Sequence, residues 1–279
     1  MSNGNFLVIG TFEGKQANIN GEMHKTNNDH LIEIDYKTGR VVKIWDIGEI
    51  LNPARSTIIK FVSENENIVD FAHLNSVKYD DHDSSLLLSG RHVGLFKIDY
   101  ETGKLLWLFG PDMGYDASGR DGQKGALSEK ILKAVDSKNK FYESNVQKKG
   151  SRNFPWPIFV HDGRIVSKGI FSLFDNGISA FDKSIYTSNK TGARIYEIDE
   201  QNKKIKLLWR ADFPFVSRVG SNTIYDPIKQ EVLIYYVLGR FLILDYNTHE
   251  ILFEAIMKQP SVWVYQVTPM RFLKEINKI

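Results

Sequence analysis

The sequence predicts an all-β chain assembled from four-stranded propeller blades, and three observations carry that reading. One strand–turn–strand unit, centred on an Asp that follows a run of apolar residues, recurs four times. A tryptophan stands near the end of the second strand in three of the copies. Further strand-like runs precede each hairpin, so that hairpin plus hairpin makes the four strands of a blade.

The four copies lie in order along the chain. Leu31–Gly39 and Leu95–Gly103 share the pattern apolar run, Asp, Tyr, polar residue, Thr, Gly. Ile195–Asp199 and Phe241–Thr248 follow it more loosely. The second strands are Val41–Trp45, Lys104–Phe109, Ile205–Trp209 and Ile251–Ile256. Period-2 alternation around a polar turn is a hairpin signal. Trp45, Trp107 and Trp209 are expected to pack between neighbouring sheets. The preceding strand runs include Asn75–Tyr79 with Ser85–Ser89, Arg164–Phe174 and Asn222–Tyr236. A terminal strand is expected over Ser261–Gln266.

Residues 1–279 thus read as one propeller domain, with a long insertion loop over 111–157 in which Leu127–Val135 has the pattern of a short helix. A loop of that length inside a compact fold is usually functional or disordered. About four to five blades are present. An open ring leaves strand edges exposed, to be completed by a homodimer or by N-terminal blades outside this sequence.

Composition excludes several classes. The 279 residues are 42% hydrophobic and 25% charged, with a net charge of +2 that gives no electrostatic footprint for nucleic acid. There is no cysteine, hence no disulfide, thiolate metal site or cysteine nucleophile. No stretch reaches the ~18 apolar residues of a spanning helix. The opening Met1–Asn5 lacks the basic and apolar regions of a signal peptide.

Two segments carry candidate chemistry. In Asp70–Val77, His73 and Asn75 would share one face if the segment is a strand. The next strand ends Ser89-Gly90-Arg91-His92. Arg91 offers a planar, permanently charged fork for an oxyanion, so these three side chains suit sulfate, phosphate or carboxylate. The second segment is Phe154–Gly163, whose His161 ends an aromatic, proline-stiffened run. Its imidazole suits a base or nucleophile. Each also has a plain reading. A strand histidine is often structural, His161-Asp162-Gly163 is a turn, and Asp175-Asn176-Gly177 is a hairpin turn. His24, His30, His82 and His249 read as solvated turn residues.

Taken together, Ala72–Ser76, Ser89–His92, Gly103–Trp107 and Phe174-Asp175-Asn176-Gly177 resemble the bacterial arylsulfotransferase family, in order and spacing over most of the chain. The resemblance implies a six-bladed propeller with its site at the central channel. It implies a periplasmic sulfotransferase that uses no nucleotide cofactor and no metal. Sulfuryl would pass from an aryl sulfate donor to a phenol acceptor through a sulfohistidine. His161 corresponds to the nucleophile, and His73, Asn75 and Arg91 to the sulfuryl-binding positions. The residues just before His161, Phe159 and Val160, are less polar than the family pattern. The family also places another histidine before an Asn-Gly-Asn turn; here Asn3-Gly4-Asn5 stands at the start with no such histidine ahead of it. Some members carry a disulfide near the nucleophile, which a chain without cysteine lacks. A non-catalytic propeller scaffold that binds a peptide or small ligand is the competing reading. A quinone-dependent dehydrogenase rests on shared architecture alone.

Overall fold

A computed structural model describes residues 1, 3–19, 22–51, 68–110, 126–142, 154, 156–157, 159–177, 190–214, 217, 220–236 and 239–257. Four sheets follow one another along the chain. The first joins β1 (Phe6–Ile19), β2 (Glu22–Ile34) and β3 (Val41–Asp46), with β4 (Ile68–Asp70) pairing β2 in parallel. The second is the meander β5 (Leu74–Asp80), β6 (Ser85–Gly90), β7 (Gly94–Asp99) and β8 (Leu105–Phe109). The third is β10 (Val160–Ser167), β11 (Ile170–Asp175), β12 (Gly192–Asp199) and β13 (Lys204–Asp212), edged by β9 (Lys133–Val135). The fourth is β14 (Asn222–Asp226), β15 (Glu231–Tyr236), β16 (Arg240–Asp245) and β17 (Ile251–Ile256). The expected all-β architecture of four-stranded propeller blades is therefore present. No closed ring forms among the described residues.

The recurring Asp has a local cause. Asp35 Oδ1 accepts from the backbone N–H of Thr38 at 2.7 Å, and Asp99 Oδ1 from that of Thr102 at 2.7 Å. Asp199 and Asp245 accept in the same way from Asn202 (3.0 Å) and Thr248 (2.7 Å). A short carboxylate that satisfies a turn amide three residues on is what fixes a hairpin of this kind. The fourth residue after each Asp is left-handed: Gly39, Gly103, Lys203 and His249.

The sheets stack face to face, and successive side chains of one strand feed different cores. Leu86 and Leu88 of β6 join the core shared with the first sheet, while Leu87 joins the core shared with the third. All six residues of β6 are buried, which explains why Leu86, Leu87 and Leu88 run together with no polar alternation. The three tryptophans do pack between sheets. Trp45 lies 5.5 Å from Tyr100 and Trp107 lies 5.6 Å from Phe171, ring to ring, and Trp209 donates from Nε1 to the Tyr246 carbonyl at 2.8 Å.

Three expectations change. The Leu127–Val135 helix is only a 3-10 turn (Ala126–Lys130), followed by the strand β9. β9 pairs in parallel with β13, so the middle of the 111–157 insertion is built into the third sheet. His24 and His30 lie in β2 rather than in a turn, and His30 is buried. Thr26, Asn28, Asp29 and His30 are buried polar residues with hydrogen-bond partners, and that composition hid the part of the strand before Leu31. The Ser261–Gln266 strand lies outside the described residues.

Candidate functional site

The first strands of successive sheets meet on the inside. β10 packs against β5, β6 and β14. His161, Asn75 and the residues flanking β5 and β6 come together there.

His161 is the second residue of β10, opposite Phe174 of β11. The register then slips at Asp162–Gly163, and Asp162 is left-handed with φ 54°. A bulge of this kind re-aims the neighbouring side chain. Gly163 packs closely: a Cβ there would stand 2.3 Å from Leu95 Cδ1 and 3.3 Å from Ser89 Cβ, so the Leu95 side chain would have to shift. His161 is buried. Its Nδ1 lies 2.7 Å from Asn176 Oδ1 and 3.1 Å from the Phe159 carbonyl. The Asn176 amide nitrogen is committed elsewhere, to the carbonyls of Ser217 (2.8 Å) and Gly220 (3.4 Å), so its oxygen must face the histidine. Both neighbours of Nδ1 are acceptors. Nδ1 therefore carries the proton, and Nε2 carries the lone pair. Burial pushes the His161 imidazole down to about 4. The hydrogen bonds to Asn176 and Phe159 oppose that shift, while the charges of Arg91 and His73 add to it.

The Asp175-Asn176-Gly177 segment is thus more than a turn. Gly177 has φ 66°, and a Cβ there would meet the Lys190 backbone at 2.5 Å. Asp175 accepts from the Gly177 N–H at 3.0 Å and faces Arg194 at 3.3 Å. This buried frame holds Asn176 against His161.

Asn75 lies in β5. Its amide nitrogen donates to the Val160 carbonyl at 2.6 Å, and its oxygen accepts from Ser89 Oγ at 2.6 Å. It ties the second sheet to the residue before His161. Arg91 follows β6, in the turn to β7. Its backbone N–H donates to the His73 carbonyl at 2.9 Å, and its guanidinium lies over the Phe159 ring at 4.6 Å. Phe159 itself is left-handed at φ 60°.

His73 sits just before β5 with φ 53°, so the alternation expected of a strand does not reach it. Its Nδ1 lies 2.5 Å from Asp70 Oδ2, and His92 Nε2 approaches the same oxygen at 3.6 Å. The His73 and His92 rings meet edge to face at 5.5 Å. Burial alone would raise Asp70, but its hydrogen bonds to His73 and His92 reverse this and hold it well below the usual carboxylate range. The three ligand-type atoms lie within 4.8 Å of one another. Ligands held ~2.0–2.1 Å from one tetrahedral zinc stand about 3.3 Å apart. The 2.5 Å Asp70–His73 contact is hydrogen-bond spacing instead.

Left-handed non-glycine residues at 73, 159 and 162 surround this centre. Backbone strain of that kind clusters at functional sites. All four expected site residues converge here. Asp70, His92, Phe159, Ser89 and Asn176 belong to the same centre and were not singled out from the sequence. All five stand within the segments that carry the candidate chemistry or the family resemblance, and that was the available signal. The cleft of about 670 Å³ lined by Asp80, Lys97 and Glu200 contains none of these residues. There Lys97 bridges Asp80, Asp83 and Glu200 at 2.9, 2.6 and 2.8 Å and pins the second sheet to the third.

The sequence profile of the family described as Arylsulfotransferase (ASST) matches residues 1–265. The arylsulfate sulfotransferase AssT of Lelliottia amnigena is 27% identical over 269 residues, covering 85% of this chain and 42% of that protein. The arylsulfate sulfotransferase AssT of Escherichia coli O6:H1 (strain CFT073) is 25% identical over 297 residues, covering 88% of this chain and 48% of that protein. The chain spans about half the length of these curated relatives. Among solved structures, BamB from Moraxella catarrhalis aligns with a TM-score of 0.35 at 10% identity, covering 88% of this chain and 50% of that one. With a family match running from residue 1 to residue 265 of 279, the chain belongs to the arylsulfotransferase family.

Proposed function

We propose that this chain moves a sulfuryl group from an aryl sulfate to a phenol through a covalent intermediate on His161, without a nucleotide cofactor. The observation that carries the reading is the state of His161: buried, held neutral, and fixed by Asn176 in the tautomer whose Nε2 has the lone pair. A neutral imidazole with a defined basic nitrogen is an activated nucleophile.

In the first half-reaction, His161 Nε2 forms a bond to sulfur as the bond from sulfur to the aryl oxygen breaks. His73 supplies a proton to the departing phenolate oxygen. Arg91 stabilises charge on the sulfuryl oxygens, where a planar guanidinium matches their spacing. The Asn75 amide keeps a second N–H for the same oxygens while its first holds the Val160 carbonyl. In the second half-reaction the acceptor phenol gives its proton to His73, its oxygen bonds to sulfur, and the bond to His161 breaks. Splitting the transfer in this way lets one site serve donor and acceptor in turn. The family reading also carries a periplasmic location. No helix among the described residues is long and apolar enough to cross a membrane.

The test is mass spectrometry of the intact chain after incubation with an aryl sulfate. A sulfuryl adduct on His161 is expected, together with its loss and the loss of phenol sulfation in His161→Asn. Folded protein with no adduct would favour the non-catalytic scaffold. That alternative draws on one observation, that the chain spans about half of its relatives.

A further inference from the structure

We propose that Asp70 is a positioning residue for His73, so that β4 of the first sheet determines which ring nitrogen exchanges a proton with the phenol oxygen. The proposal rests on the sulfuryl-transfer reading above and deepens it. Asp70 ends β4, and four residues later the chain enters the second sheet at β5. Its Oδ2 faces His73 Nδ1 at 2.5 Å, so that nitrogen carries a hydrogen and proton exchange falls to Nε2. His92 Nε2 approaches the same carboxylate oxygen at 3.6 Å, a second cationic-type partner for Asp70.

The backbone around His73 is clamped as tightly. The Arg91 N–H holds the His73 carbonyl at 2.9 Å, and the His92 N–H holds the Ala72 carbonyl at 3.2 Å. The N–H of Leu74, the next residue, donates to Asp29 Oδ2 at 2.8 Å, and Asp29 Oδ1 takes the Thr11 hydroxyl at 2.9 Å. Asp29 belongs to β2 and Thr11 to β1. Two carboxylates of the first sheet therefore flank His73, one fixing its ring and the other the strand that follows. A carboxylate on Nδ1 also stabilises the charge that the ring carries before it protonates the leaving phenolate and regains when the acceptor phenol is deprotonated, as an orienting acid does in a hydrolase triad.

A positioning role makes a prediction that a merely structural one does not. Protonation matters most when the departing phenol is a weak acid. The full chain, Asp70→Asn, His73→Gln and the double variant are each given two donors, one aryl sulfate of a strongly acidic phenol and one of a weakly acidic phenol. The readout is the rate of adduct formation on His161. Asp70→Asn is expected to slow the weak-acid donor by at least ~10-fold, within the reach of general acid catalysis, and the strong-acid donor by less than about threefold. The double variant should match His73→Gln within about twofold, because Asp70 acts only through His73. Both donors are measured on one sample, so the ratio between them does not depend on the folded fraction. An equal loss on both donors overturns the proposal, as does a double variant well below His73→Gln. In either case a wild-type chain that forms the adduct normally leaves the sulfuryl-transfer reading standing. A wild-type chain that forms no adduct with either donor overturns both.

Discussion

His161 and His73 each present Nδ1 to an oxygen acceptor, but the two acceptors and their surroundings differ. The His161 partner is a neutral amide, locked by two backbone carbonyls between the third and fourth sheets, and the residue is 4% exposed. The His73 partner is an ionised carboxylate from the first sheet, and the side chain is 41% exposed. An amide fixes a tautomer without stabilising positive charge as a carboxylate does. In a dry pocket that combination keeps an imidazole neutral and basic at Nε2. A carboxylate beside a wetter ring supports a histidine that gains and loses a proton. The same side chain is thus equipped for two tasks by what stands behind it, which is the usual way one site runs both nucleophilic and acid–base steps.

Arg91 links the two halves, through its backbone to His73 and through its guanidinium to Phe159, whose carbonyl faces His161. The largest effect is therefore expected from Arg91→Lys. The substitution keeps the charge that helps depress His161 but loses the fork and the stack on Phe159. Adduct formation should fall by roughly 10²–10³-fold, the typical result of removing one transition-state donor. Its pH dependence should stay as in the wild type. A moved acid limb would show that Arg91 acts mainly by tuning His161 and not by holding the sulfuryl oxygens.

A second change makes one half resemble the other. Asn176→Asp gives His161 a carboxylate partner like that of His73. An opposite charge at that distance raises a histidine by about 1–3 pH units. In the wild type the nucleophile protonates only near pH 4, so adduct formation should hold down to that range. In the variant the acid limb moves up, and the rate at pH 5.5 falls by about tenfold. Stability has its own sign. The wild-type His161 is depressed below its ordinary 6.5, so its contribution is full above that value and is lost as pH falls toward about 4. Asn176→Asp should shrink that acid loss. An unmoved limb would detach Asn176 from the chemistry.

How much of this was legible in the sequence follows from which interactions are local. The hairpins were readable because their cause lies within four residues: Asp35, Asp99, Asp199 and Asp245 each bind an amide three positions on. His73, Arg91 and His161 were readable as reactive side chains near strand ends. Their partners were not. Asn176 reaches His161 across 15 positions, Asn75 reaches Val160 across 85, and Asp29 reaches Leu74 across 45. Asn176 stood in a segment with the composition of a hairpin turn, and local statistics gave it that role. The part of β2 before Leu31 was hidden for a related reason. Its polar residues are satisfied from other strands, as when Thr11 binds Asp29 and Asn28 binds Asp46.

The smallest expected effect lies at the seam between the two halves. Ser89 is fully buried, and its hydroxyl donates to Asn75 Oδ1 at 2.6 Å. With that hydrogen committed, the 2.6 Å contact between Ser89 and Ser76 requires Ser76 to be the donor. A directed chain therefore runs from Ser76 through Ser89 and Asn75 to the Val160 carbonyl, and the Gly163 N–H closes on Ser89 Oγ at 3.3 Å. Ser89→Ala cuts this chain in the middle but leaves the Asn75–Val160 bond and both histidine partners in place. The expected cost is about 1 kcal/mol of unfolding free energy, the size of one buried hydrogen bond after partial repair. It is read from denaturant midpoints at unchanged slope. The rate of adduct formation should drop only about two- to threefold, since a loosened seam shifts His161 against Arg91 without removing either. A loss as large as that of Arg91→Lys would mean that the seam, and not the contrast between amide and carboxylate, governs the reactivity of His161.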